Sequence, residues 1–205
     1  MTIRPGEPWE RPSTSIEAAA VARRDRDVVT LAGWASPGTR PAGPVRLRGG
    51  DLHRMLGSPS LRPDPVAAEI DLLEVTDPGT GEVLGRAAAH VVVGGLDAMW
   101  RGRVVVACNA GQVGPFELAP RAHPGDGLVD VVTIAGRMPL RQRIAALRRA
   151  RSGSHLPHPD IGIERLTAVE ITLDRPALVR IDGVRSGRVR AVRIGVVADA
   201  VTIVF

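Results

Sequence analysis

The residues of this 205-residue chain able to do chemistry are few, and their spacing decides what chemistry is open to them. His155-Leu156-Pro157-His158 places two imidazoles in a proline-rich loop, and His90 lies in a valine-rich run. No cysteine or carboxylate stands beside them at the spacing of a zinc site, so the reading favoured is turn or surface histidines. The single cysteine, Cys108, sits inside an apolar strand pattern and reads as a buried structural thiol. No G-x-S-x-G occurs to support a Ser/His/Asp triad. Two glycine pairs could cradle a phosphate. Arg48-Gly49-Gly50-Asp51 has a short strand before it and a helix after it, the context in which free N–H groups point at an anion. Val93-Gly94-Gly95-Leu96-Asp97 reads as a turn between strands.

A third candidate is electrostatic. The segment Pro139–Arg151 has Leu140, Ile144 and Leu147 at helical spacing, with Arg141, Arg143, Arg148, Arg149 and Arg151 on the remaining faces. It reads as a solvated surface helix whose three apolar residues anchor it to the core, or as a basic amphipathic helix on an anionic membrane surface. The charge of the whole chain, +5, is made only from arginine, since all 27 basic residues are Arg and none is Lys. Tyr is absent and Asn appears once, as Asn109, which is the mark of a GC-rich genome. With 2% aromatic residues the chain lacks the stacking platforms that accompany single-strand binding, and nucleic acid is not the expected partner.

The elements that must position these residues fall into two compositions. Residues 1–62 are rich in Pro, Gly and Arg and read as a short α/β extension. Thr14–Glu17 has the form of a capping box leading into a helix over Ala18–Arg24, and a second helix starts at Asp51 and stops at Gly57. Val28–Leu31 and Pro44–Leu47 read as short strands. Residues 63–205 alternate valine-rich runs with turns. Strands are expected at Ala67–Val75, Glu82–Val93, Arg103–Ala110, Leu128–Ala135, Ala168–Leu173, Ala177–Ile181, Val189–Gly195 and Ala200–Phe205. That is a mainly β chain, an antiparallel β-sandwich of eight or more strands with one amphipathic helix at 139–151, and the two parts form one compact unit. No apolar run approaches the roughly 20 residues that span a bilayer, and no signal stretch opens the chain, so a cytoplasmic protein, peripheral to the membrane at most, is expected.

One segment is specific enough to carry a resemblance. Asn109-Ala110-Gly111, followed by Leu118-Ala119-Pro120-Arg121-Ala122-His123-Pro124-Gly125-Asp126-Gly127-Leu128-Val129-Asp130-Val131, resembles the N-G … A-P-x-A-x-x-x-D-G-x-L/V-D-V run of the diacylglycerol kinase / sphingosine kinase-like lipid kinases. Gly153-Ser154-His155 after the helix is similar to that family's G-x-H turn, and Ile181-Asp182-Gly183 to its D-G-E motif. Upstream, Gly49 to Pro59 resembles the family's G-T-G-N-D-[FL]-A-R-x-L-G-x-P segment, with Asp51, Leu52, Arg54, Leu56 and Gly57 in agreement. The resemblance implies a C-terminal lipid-kinase β-sandwich preceded by a remnant of the nucleotide-binding domain. It also implies a structural Mg²⁺ held by the Asp126 side chain and the backbone carbonyls of His123 and Leu128; the residues themselves equally allow a turn in which Asp126 caps backbone N–H groups.

The departures shape the expected function. Leu47, Arg48 and Gly50 stand where the family has Gly, Thr and Asn, leaving Gly49, Gly50 and Asp51 as a degenerate cofactor loop. No G-G-D-G-T occurs in the residues before the match, so no ATP is expected. Val184 stands where the family has the glutamate of D-G-E, and valine accepts no proton; Asp182 is what remains of the catalytic motif. The expectation is a catalytically degenerate lipid-kinase-like protein that binds a lipid or a protein partner, with Arg141, Arg143, Arg148 and Arg149 facing lipid phosphates. Two alternatives stand beside it: the substrate-binding half of a lipid kinase completed by a separate nucleotide-binding protein, and a structural domain that forms a homodimer.

Overall fold

The computed structural model describes residues 10–12, 20–34, 43–57, 66–94 and 101–205. In chain order its elements are β1 (Arg11–Pro12), β2 (Ala20–Ala22), α1 (Asp25–Leu31), β3 (Val45–Leu47), α2 (Gly50–Met55), β4 (Val66–Thr76), β5 (Val83–Ala87) and β6 (His90–Val93). There follow β7 (Val104–Cys108), the small hairpin β8 (Gln112–Val113) and β9 (Phe116–Glu117), β10 (Val129–Ile134), α3 (Leu140–Ala150), β11 (Ile161–Leu166), β12 (Ala168–Ile181) and β13 (Val184–Val204). One continuous sheet runs β1-β4-β13-β12-β6-β7-β10-β11, antiparallel throughout, with β5 on β4 and the parallel pair β2-β3 added to the end of β13.

The sheet folds over itself because several of its strands, β7 above all, are apolar on both faces, as strands buried on both sides must be. Leu73 and Val75 of β4, Val91 and Val93 of β6, Val105 and Ala107 of β7, and Val192 and Ile194 of β13 meet in the sandwich core. The alternate residues of the same strands look the other way. Val104, Val106 and Cys108 turn to α3, packing with Met138 and Ala146. Ala68, Ile70 and Leu72 turn to the N-terminal segment, where Val28, Val45 and Leu52 complete a second core. Cys108 is fully buried, and burial raises its thiol pKa, as a structural cysteine requires.

Three expectations are corrected. Ala20–Ala22 is a strand paired with β3, not a helix; the Thr14–Glu17 capping box lies outside the described residues. The segment expected as a strand at Val28–Leu31 is the helix α1. Val28, Val29 and Ala32 bury one helical face, and Asp25 and Asp27 supply an acidic first turn that favours the helix N-terminus. The single run expected over Glu82–Val93 breaks into β5 and β6 at Ala88–Ala89, whose N–H groups leave the ladder for a side chain.

Two pairs of expected strands instead merge. Ala168–Leu173 and Ala177–Ile181 are one strand, β12, with a bulge around Pro176, and Val189–Gly195 and Ala200–Phe205 are parts of β13. The second bulge is built at Asp199, whose φ is 51° and whose N–H donates to the Asp71 carboxylate at 2.9 Å. The strand β11 and the β8-β9 hairpin carry no sequence run strong enough to predict them.

Candidate functional site

One group of ionisable side chains lies where the N-terminal segment meets the sandwich. Asp25 opens α1 and is buried. Its carboxylate accepts the amides of Asp51 at 2.7 Å and Leu52 at 3.0 Å, the free N–H groups at the start of α2. The glycines before α2 are explained by that contact. A Cβ on Gly50, whose φ is 98°, would lie 2.4 Å from Asp25 Oδ1, and one on Gly49 would lie 2.5 Å from the Arg23 carbonyl oxygen. The loop expected to cradle a phosphate therefore closes on an internal carboxylate. Burial raises the pKa of Asp25, the two amides lower it, and the nearby Asp51 raises it again.

Asp51 joins this cluster to the sandwich. Its Oδ1 accepts from Arg54 Nη1 at 2.7 Å and its Oδ2 from the Gly114 amide at 2.9 Å. His90 Nδ1 stands 3.6 Å from Asp51 Oδ2, with His90 only 6% exposed. Beyond His90 is Asp182, in the β12–β13 turn with φ 45°. Its carboxylate accepts three consecutive amides, Ala88 at 2.8 Å and Ala89 and His90 at 3.0 Å. Burial pushes it up to about 6 against the pull of those amides and of His90. Asp182 thus anchors the break between β5 and β6, while Val184 beside it is 41% exposed and carries no ionisable group.

The Asp126 loop is a second cluster. Asp126 Oδ1 accepts the Leu128 amide at 3.0 Å, the Asx turn considered from the sequence, and Oδ2 pairs with Arg165 Nη2. His123 Nδ1 accepts the Gly125 amide at 3.3 Å, and burial lowers its pKa. Asp130, 1% exposed, and Asp71, also 1% exposed, lie in the same field. Against a divalent cation the fit is poor. A guanidinium already lies on Asp126, and among the described residues no group of three His, Cys, Asp or Glu converges to hold a metal. His155 and His158 stay apart in role: His158 Nδ1 accepts the Asp160 amide at 3.0 Å, whereas His155 is buried under α3.

The helix α3 departs from its expected orientation. Leu140 and Ile144, expected as core anchors, are 47% and 36% exposed. The buried face is Arg143, Ala146 and Ala150. Arg143 is 2% exposed and donates to the carbonyls of Met138 (3.0 Å), Gly102 (2.6 Å) and Ala135 (2.8 Å), so it is a structural clamp and not one of the outward arginines. Arg141, Arg148, Arg149 and Arg151 are exposed. Between helix and sheet lies a small apolar cavity lined by Leu118, Val132, Ile134, Met138, Leu147 and His155 among others.

Sequence reasoning found Asp51, Asp126 and Asp182 but missed Asp25, Asp71 and Arg165. Asp71, set between Ile70 and Leu72 while Glu69 and Glu74 stand nearer the ends of Ala67–Val75, was the available signal, because a charge in a strand buried on both faces needs partners. The acidic first turn Asp25-Arg26-Asp27 was the signal for Asp25.

The antiparallel sandwich carries the Asn109, Asp126 and Asp182 loops in this order, which is the arrangement of a kinase-type C-terminal β-sandwich domain. Residues 82–205 match the family described as the YegS C-terminal NAD kinase beta sandwich-like domain, and the chain belongs to that family. The fold is similar to that of a putative diacylglycerol kinase from Bacillus anthracis str. Sterne, at 13% identity and a TM-score of 0.58 over 78% of this chain and 69% of that one. A second diacylglycerol kinase structure from the same organism is similar at 12% identity and a TM-score of 0.55, covering 81% and 67% of the two chains. No curated protein matches the sequence.

Proposed function

We propose that this chain is a catalytically degenerate, lipid-kinase-like protein that binds lipid at an anionic membrane surface. The observation that carries this reading is the outward face of α3, where Leu140 and Ile144 project between Arg141, Arg148 and Arg151 above an apolar cavity. A helix that needed those residues for its own core would bury them; exposed apolar residues ringed by cations suit a lipid headgroup layer. Degeneracy is supported by Asp25, whose negative charge fills the amides a phosphate would use, and by Val184 in place of a base. Among the described residues no helix is long and apolar enough to cross a membrane, so contact would be peripheral.

The test is co-sedimentation with phosphatidylglycerol-containing vesicles and with phosphatidylcholine vesicles, at low and high salt. Binding to the anionic vesicles alone, weakened by salt, is expected. Each of Arg141→Glu, Arg148→Glu and Arg151→Glu should lower it by at least roughly fivefold, given about 1 kcal/mol per basic residue at such a surface. Failure to pellet with anionic vesicles removes the lipid reading. Thermal stabilisation of the chain by ATP and Mg²⁺ would overturn the degenerate one.

A further inference from the structure

We propose that Arg165 is the resident cation of the Asp126 loop, so that the loop is held by a guanidinium and not by a divalent metal. The register of the sheet sets this up. Asp130 of β10 lies directly opposite Arg165 of β11 in the antiparallel pair. From there the side chain spans two acids, Nη2 on Asp126 Oδ2 and Nε 3.4 Å from Asp130 Oδ2. Asp130 is 1% exposed, and neither of its oxygens has a hydrogen-bond partner. A buried carboxylate in that state needs a nearby positive charge, and Arg165 is the cation in contact with it.

The other carboxylates of the cluster already accept backbone amides. Asp126 Oδ1 takes the Leu128 amide. Asp71, the third acid of the neighbourhood, takes Gly127 at 2.7 Å through Oδ2 and Asp199 at 2.9 Å through Oδ1. A hard divalent ion needs six or more oxygens around it, and here it would have to displace the planar fork that already bridges two of the carboxylates. Burial and the Asp126 charge raise the pKa of Asp130, while Arg165 and, next, Arg121 lower it, so arginine supplies the counter-charge.

The experiment is thermal denaturation of the full chain after chelation, then with added Mg²⁺ or Ca²⁺. The wild-type midpoint is expected to be the same in all three conditions. Arg165→Ala should lower it by roughly 2–4 °C or more, and Arg165→Gln, which retains the side-chain bulk, should lower it too. In the Asp126→Asn background the effect of Arg165→Gln should shrink, since the pair is already broken. Saturable stabilisation of the wild type by Mg²⁺, abolished by Asp126→Asn, would overturn the proposal. So would an effect of Arg165→Gln that is unchanged by Asp126→Asn.

Discussion

The Asp25 carboxylate accepts the Asp51 amide at 2.7 Å, so the first acid of α1 closes the N-terminus of α2. Each helix is too short to stand alone, and this contact, extended to the Leu52 amide, ties one to the other. Asp25→Ala leaves two buried amides without a partner and should cost about 2–4 kcal/mol, read from the urea midpoint. Gly50→Ala should also destabilise, because its Cβ would meet Asp25 Oδ1 and its φ of 98° disfavours any side chain. The two effects should be less than additive when combined. Strict additivity would mean that the glycine answers only to its backbone angle.

Asp71 predicts a pH dependence of stability. Burial raises its carboxyl from 3.8 to about 6. A carboxylate raised in the folded state binds its proton more tightly there, so its favourable contribution is full below pH 3.8 and is lost as pH rises through 6. The difference is on the order of 3 kcal/mol for a shift of this size. His53, His123 and His155 have lowered values from burial, and they act oppositely, losing stability as pH falls below 6.5. The contrast to measure is therefore wild type against Asp71→Asn in urea at pH 7.5, 6 and 4.5. Asn cannot accept both the Gly127 and Asp199 amides equally, so the variant is weaker at every pH. Its deficit should nonetheless grow as pH falls, since only the wild type takes up the proton. A constant deficit would place Asp71 outside this account.

The sandwich was legible because strands buried on both faces leave valine-rich runs, unbroken in Val104–Val106 and interrupted by Asp130 in Val129–Ile134. Where a strand is open on both faces, as in Ile161–Leu166 with four consecutive exposed residues, the pattern fades and β11 goes unread. The helix α1 was misread because Val28-Val29 is a β-branched doublet, and its burial at helical spacing depends on α2 and β4 behind it. Motif positions were legible as chemistry but not as geometry. Nothing in Gly49-Gly50-Asp51 says that the anion in its cradle is the protein's own, because Asp25 is brought there by tertiary packing.

Arg143 separates structural from surface arginine on one helix. Its guanidinium donates to carbonyls at the end of β10 and in the Gly102 turn, which tie α3 to the sheet. Arg143→Ala should cost about 2–4 kcal/mol, by leaving buried carbonyls unpaired and a hole against Met138. Arg143→Lys should not restore it, since an ammonium cannot reach acceptors arranged for a planar fork. Arg148→Ala on the exposed face should change stability by less than about 0.5 kcal/mol. Thermal melts of the three variants decide; equal losses at both positions would contradict the burial described above.

Leu140 and Ile144 provide the sharpest separation of membrane insertion from charge attraction. Both are already exposed, so Leu140→Ser with Ile144→Ser should leave the urea midpoint nearly unchanged. Moving half of each side chain from water into the headgroup boundary is worth about 1 kcal/mol, or about 2 kcal/mol for the pair. Vesicle affinity should then fall by roughly thirtyfold, and the loss should persist at high salt, where the contribution of the arginines has been screened away. An equal affinity in the double variant would reduce α3 to a purely electrostatic contact. A large loss of stability would instead mean that these residues serve a protein interface or the core, and would remove the reason for reading the outward face as a membrane-facing one.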